Sequence, residues 1–102
     1  MIVNRTEITV TPEKRMELFQ TIGRLVAPIE QFKGCRGSRF YVDTEDEFTS
    51  LLISEWETEA DLNSYLRSND FAILKGAIRV LSVRCADSTA FVTSRVQDPV
   101  PK

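Results

Sequence analysis

Phe48-Thr49-Ser50-Leu51-Leu52-Ile53-Ser54-Glu55-Trp56 is the stretch that decides the fold. Read as a strand, it sets Phe48, Leu52 and Trp56 on one face and Leu51 and Ile53 on the other, so its sheet must be covered on both sides. Just before it, Thr44-Glu45-Asp46-Glu47 reads as an acidic turn, and Cys35 to Val42 as the strand that closes a hairpin through that turn. Just after it, Thr58-Glu59-Ala60-Asp61 matches a capping box in its Asp variant and starts a helix carrying Leu62, Tyr65 and Leu66. Ser68 is the next cap. The helix behind it carries Phe71, Leu74, Ile78 and Leu81 on one stripe, with Gly76 a weak point where a neighbour can approach closely.

Upstream, Ile2, Asn4, Thr6, Ile8 and Val10 share one face of a period-2 pattern, and Val3, Arg5, Glu7 and Thr9 the wetter one, which predicts a first strand. Thr11 as N-cap, Pro12 at the first helical position and Glu13 near the positive end of the dipole predict a helix start. Its expected buried stripe is Met16, Phe19, Ile22, Val26 and Ile29; Pro28 ends or bends the last turn, and Lys33-Gly34 closes the connection. A last strand falls within Ala86 to Val96, with Phe91, Val92 and Val96 apolar, before a disordered tail over 97–102. The order is β-α-β-β-α-β with the second helical segment broken in two: one α+β domain over 1–96, a ferredoxin-like split with an antiparallel sheet. Two crossovers cover only one face of such a sheet. A homodimer made by stacking two sheets supplies the missing cover, giving a dimeric α/β barrel.

Composition excludes a good deal. The 102 residues are 42% apolar and 27% charged, with 13 Lys plus Arg against 15 Asp plus Glu, a net charge of −2 and no His. No cationic excess exists to neutralise phosphates or an anionic membrane, so neither nucleic acid nor membrane is expected as a partner. Without His there is no His-based triad or dyad, and the commonest metal ligand is missing. Cys35 and Cys85 lack metal or redox spacing and read as small buried hydrophobes with reduced thiols. An Arg and a Glu within the first seven residues leave no room for a signal-peptide core, and no apolar run approaches the roughly 20 residues of a membrane span. The expected location is the cytoplasm.

The stretch Leu52 to Leu62, followed by Tyr65-Leu66-Arg67-Ser68 and Phe71, resembles the antibiotic biosynthesis monooxygenase family, in which a strand ending in Trp leads into a helix and a short Ser-x-x-Phe restart. The Gly34-Cys35 entry to the second strand resembles it too, and the likeness extends over about residues 1 to 96. The resemblance implies a dimeric barrel with a pocket between helices and sheet in each subunit. Some members oxidise quinols or polycyclic phenols with O₂ and no cofactor, and one branch degrades haem. Asn4 and Trp56 match the Asn and Trp positions of the haem-degrading members, whereas their proximal His falls at about Lys75. A Lys side chain, cationic at neutral pH, has no free lone pair for iron, so haem chemistry is disfavoured. Tyr65 and Asp70 stand where the family has further His residues.

Asn4 and Trp56 are thus the candidate catalytic residues, Tyr65 and Phe71 the candidate substrate-binding ones, and no metal ligands are expected. Each has a plainer reading. Asn4 is an amide on the more apolar strand face and needs a partner, either a ligand or a neighbouring side chain or water. Trp56 is core by default, although an indole N–H beside a pocket can hold a substrate oxygen. Tyr65 is explained equally by a helix-face ring with its tip in water. Asp43, Glu45, Asp46 and Glu47 lack EF-hand spacing and read as a solvated turn. The function expected is a cofactor-independent monooxygenase that oxidises a quinol or polycyclic phenol with O₂. The alternative is a non-catalytic dimer of the same fold that binds a small aromatic molecule or is structural.

Overall fold

A computed structural model describes residues 1–91. The chain runs β1 (Ile2–Thr9), α1 (Pro12–Ile29), β2 (Cys35–Val42), β3 (Thr49–Trp56), α2 (Glu59–Leu66), α3 (Asn69–Leu81) and β4 (Arg84–Phe91). The strands form one antiparallel sheet in the order β2-β3-β1-β4, the ferredoxin-like arrangement expected from the element order. Val92, Val96 and the expected tail lie outside the described residues.

Registers align four cross-strand rows on the helix-covered face. Trp56 and Ile2 lie between Cys35 and Phe91; Ser54 and Asn4 between Ser38 and Thr89; Leu52 and Thr6 between Phe40 and Asp87; Ser50 and Ile8 between Val42 and Cys85. The core forms where these rows meet Leu18, Ile22 and Ile29 of α1, Leu62 and Tyr65 of α2, and Leu74, Ile78 and Leu81 of α3. Burying such side chains stabilises the fold by about 1.5–3 kcal/mol each, an upper figure because the unfolded chain already hides part of them. Among the described residues the opposite face carries no helix. Val3, Leu51 and Ile53 are half-buried there, beside an exposed Tyr41.

Several local expectations need correction. Met16 is exposed, and the buried stripe of α1 is Leu18, Ile22 and Ile29, flanked by half-buried Phe19, Leu25 and Val26. Arg15, not Met16, lies on the covered side, with its guanidinium 4.6 Å from the Phe19 ring centroid and its Nε donating to the Glu47 carbonyl at 2.8 Å. Thr11 is extended at the N-cap but makes no side-chain cap bond; Pro12, which has no N–H to satisfy, takes the first helical position. Gly76 has open space where a Cβ would stand, so nothing approaches it closely. β3 begins at Thr49, one residue after Phe48, and β4 begins at Arg84, two residues before Ala86. The acidic turn is built by its own carboxylates. Asp43 accepts from the N–H groups of Glu45 and Asp46, and Asp46 from the Phe48 N–H and the Thr49 hydroxyl.

Candidate functional site

Two caps place the helical half of the site. The Thr58 hydroxyl accepts from the Asp61 N–H at 3.1 Å and starts α2 directly after Trp56. The Ser68 hydroxyl donates to the Tyr65 carbonyl at 2.6 Å and accepts from the Phe71 N–H at 3.1 Å, so it joins α2 to α3 and fixes Phe71 in the first turn. Lys75 follows four residues later, on the same side of α3.

These helices and the β1–β4 edge of the sheet enclose a cleft of about 390 Å³. Asn4 from β1, Leu66 from α2, Phe71 and Lys75 from α3, and Asp87, Ser88 and Thr89 from β4 line it. Thr89 Oγ1 donates to Asn4 Oδ1 at 3.2 Å across the strand pair. The Lys75 ammonium pairs with Asp87 Oδ2 and stands 5.9 Å from the Phe71 ring centroid. Thr6 Oγ1 donates to Asp87 Oδ1 at 2.7 Å. Burial works to raise the Asp87 pKa, but the bonds from Lys75 and Thr6, with the charge of Lys75, outweigh it and hold the carboxyl below its ordinary value.

Behind the cleft is a stack of rings. Trp56 has no exposed surface, and its indole N–H donates to Ser54 Oγ at 2.8 Å. Its ring stacks on Tyr65 with centroids 5.1 Å apart, and Tyr65 meets Phe32 and Phe71 edge-on at 5.0 and 5.3 Å. Tyr65 lines a second, smaller cleft of about 170 Å³ with Leu25, Pro28 and Ile29 of α1 and Asp70 and Ile73 of α3. Burial, then the charges of Asp70 and Cys35, push its hydroxyl pKa well above the ordinary value.

Of the four residues proposed from sequence, Asn4 and Phe71 therefore share one cleft, and Tyr65 lies on another, in ring contact with Phe71. Trp56 lines neither, and its donor is already engaged. Lys75 and Asp87 were absent from the expected site. The resemblance marks Lys75 only as a poor match to a haem ligand, and its place four residues after Phe71 puts it on the same cleft, whereas Asp87 gives no signal because the edge strand that carries it is almost wholly exposed. As an ammonium paired to Asp87, Lys75 does not fit the proximal-ligand role that a haem would require.

A ferredoxin-like sheet with a polar-mouthed cleft beside an aromatic stack defines a class of small α+β proteins, and comparison with known proteins narrows it. The family model for antibiotic biosynthesis monooxygenases matches residues 1–73, and the chain belongs to that family. No curated protein matches it in sequence. Among solved structures, a candidate antibiotic biosynthesis monooxygenase from Deinococcus radiodurans superposes with a TM-score of 0.90 at 13% identity, covering 97% of this chain and 99% of that one. A Mycobacterium tuberculosis protein gives 0.84 at 14% identity, covering 94% and 98%. A conserved Methanosarcina mazei protein gives 0.81 at 20% identity, covering 87% and 89%. At such identities these likenesses speak for the fold alone.

Proposed function

We propose that the protein is a cofactor-independent monooxygenase that oxidises a quinol or polycyclic phenol with O₂ in the Asn4–Phe71 cleft, and that it works as a homodimer. The observation that carries this reading is the cleft itself, which is apolar at Leu66 and Phe71 and polar at Asn4 and the β4 residues. In an anthrone-like substrate the deprotonated ring system is the reductant. It passes one electron to O₂, the radical pair combines to form a C–O bond, and loss of water from the resulting peroxide leaves a new carbonyl. One oxygen atom ends in the product and the other in water. The protein's part is to bind the anion, orient it and exclude solvent.

A second reading, a binding module without turnover, is favoured by one observation. Asp87 is held below its ordinary pKa and Tyr65 above, so neither is poised as a general base near neutral pH. If turnover occurs, the substrate proton leaves to water and the rate should rise as pH approaches the substrate's own pKa. Oxygen uptake with a panel of quinols and anthrone-like phenols, without flavin or metal, separates the two readings. Asn4→Ala should cost on the order of tenfold in kcat/KM if the amide holds the developing anion. Trp56→Phe should instead lower Tm, because it strands the Ser54 hydroxyl and leaves a small cavity, at about 1–3 kcal/mol. Uptake no faster than in buffer across the panel would remove the monooxygenase reading in favour of the binding module.

A further inference from the structure

Hydrogen-bonding capacity in the cleft is unevenly spent. Asn4 Oδ1 already accepts from Thr89, and the two oxygens of Asp87 accept from Lys75 and Thr6. Asn4 and Lys75 still have donors to offer a ligand: the amide NH₂ and the remaining ammonium N–H bonds. Among the described residues, Lys75 and Asp87 are the only ionisable side chains lining the cleft; β1 and α2 contribute Asn4 and Leu66, which carry no charge. The ammonium sits over the Phe71 side of the cleft, next to the apolar wall on which an aromatic ring would rest.

We infer that Lys75 makes this cleft specific for the deprotonated form of a phenol. Its ammonium, together with the Asn4 amide, takes the phenolate oxygen while Leu66 and Phe71 take the ring. Asp87 is then the internal carboxylate with which the ligand oxyanion competes for Lys75. The phenol proton leaves to solvent, and no other bond changes on binding. The inference rests on the monooxygenase reading of the cleft only for its substrate class, since binding is measured without turnover.

The test is an anaerobic optical titration of the whole protein with a nitrophenol, whose neutral and ionised forms absorb at different wavelengths. Wild type should bind the phenolate on the order of tenfold more tightly than the phenol, seen as a lowered apparent pKa of the bound dye. Lys75→Met should abolish that preference, and Lys75→Arg, which keeps the charge, should retain it. Asp87→Asn removes the competing anion and should tighten phenolate binding severalfold. Lys75 is half-buried, and circular dichroism of each variant checks that the fold is kept. Equal binding of the two forms by wild type, or an unchanged preference in Lys75→Met, would overturn the inference whatever the oxygen-uptake panel gives. A lowered dye pKa with no oxygen uptake would keep the anion site and discard the monooxygenase.

Discussion

Tyr65 is 1% exposed and held between Trp56, Phe32 and Phe71, so ionising it would bury a charge among rings. Desolvation is the largest cause of its raised pKa, with the neighbouring Asp70 and Cys35 adding to it. The sign of the consequence for stability follows from linkage. The unfolded chain releases the Tyr65 proton from about pH 10 upward while the folded chain keeps it, so the folded state binds more protons there. The stabilisation is complete below about pH 10 and is lost as pH rises toward the folded pKa, by at most about 1.4 kcal/mol per pH unit for one group. Tyr65→Phe keeps the ring stack and removes this loss. Chemical denaturation at a series of pH values should therefore show the wild type falling relative to Tyr65→Phe above about pH 10, with parallel curves below it. Parallel curves throughout would mean that the hydroxyl is solvated.

At the scale of elements, Gly34 controls how α1 returns to the sheet. It has φ +83°, the one positive φ among the described residues, and its carbonyl accepts from the Glu57 N–H at 2.8 Å. A Cβ there would run into the Asp61 carboxyl group in the first turn of α2. Gly34→Ala thus meets both a disfavoured backbone region and a steric conflict, and should lower stability by about 1–3 kcal/mol in urea denaturation. A change below about 0.5 kcal/mol would show that the loop relaxes freely. This junction was readable in the sequence as Lys33-Gly34, as were the Thr58 and Ser68 caps and the β2–β3 hairpin, because each is set by local chemistry. The facing of α1 was not. Met16 and Leu18 both continue helical stripes, and what favours Leu18 is its burial with Ile22 and Ile29 against the sheet, which sets Arg15 beside Phe19 and the Glu47 carbonyl. The start of β4 was equally silent. Its residues from Ala86 to Phe91 are exposed, so no apolar alternation marked where it begins, and although the strand expected within Ala86 to Val96 includes Asp87, nothing set that carboxylate apart from a solvated side chain. Asn4 was legible because an amide interrupts the apolar face of β1, and Phe71 because it completes the Ser-x-x-Phe restart that the family resemblance carries; their meeting with Lys75 depends on how α3 crosses the β1–β4 edge.

For the whole molecule, the uncovered face of the sheet is the main unbalanced feature. Val3 from β1, Leu51 and Ile53 from β3 and Tyr41 from β2 are interleaved there with charged side chains: Ile53 pairs with Arg5 and Arg39, Leu51 with Glu7 and Tyr41, and Val3 with Glu55. Apolar side chains interleaved with charges of both signs suit a self-complementary interface, because under two-fold symmetry an Arg of one copy can face a Glu of the other while the apolar groups between them meet. Two such faces stacked about 10 Å apart would bury the centres of both sheets. Wild type at micromolar concentration should therefore scatter light with a mass near twice 11.6 kDa. Ile53→Arg, which sets two like charges and a long side chain against the partner's apolar side chains, should shift the mass to that of one chain. A wild-type mass near 11.6 kDa would sink the dimer. The same variant also separates assembly from the site. Ile53 pairs with Arg5 on the uncovered face, whereas Asn4 opens to the cleft beside the helices, so the two lie on opposite sides of one sheet. An Ile53→Arg monomer that keeps its circular dichroism should still lower the pKa of a bound nitrophenol as the dimer does. Loss of that shift along with the dimer would mean that the stacked sheets hold the β1–β4 edge in the form that the cleft requires.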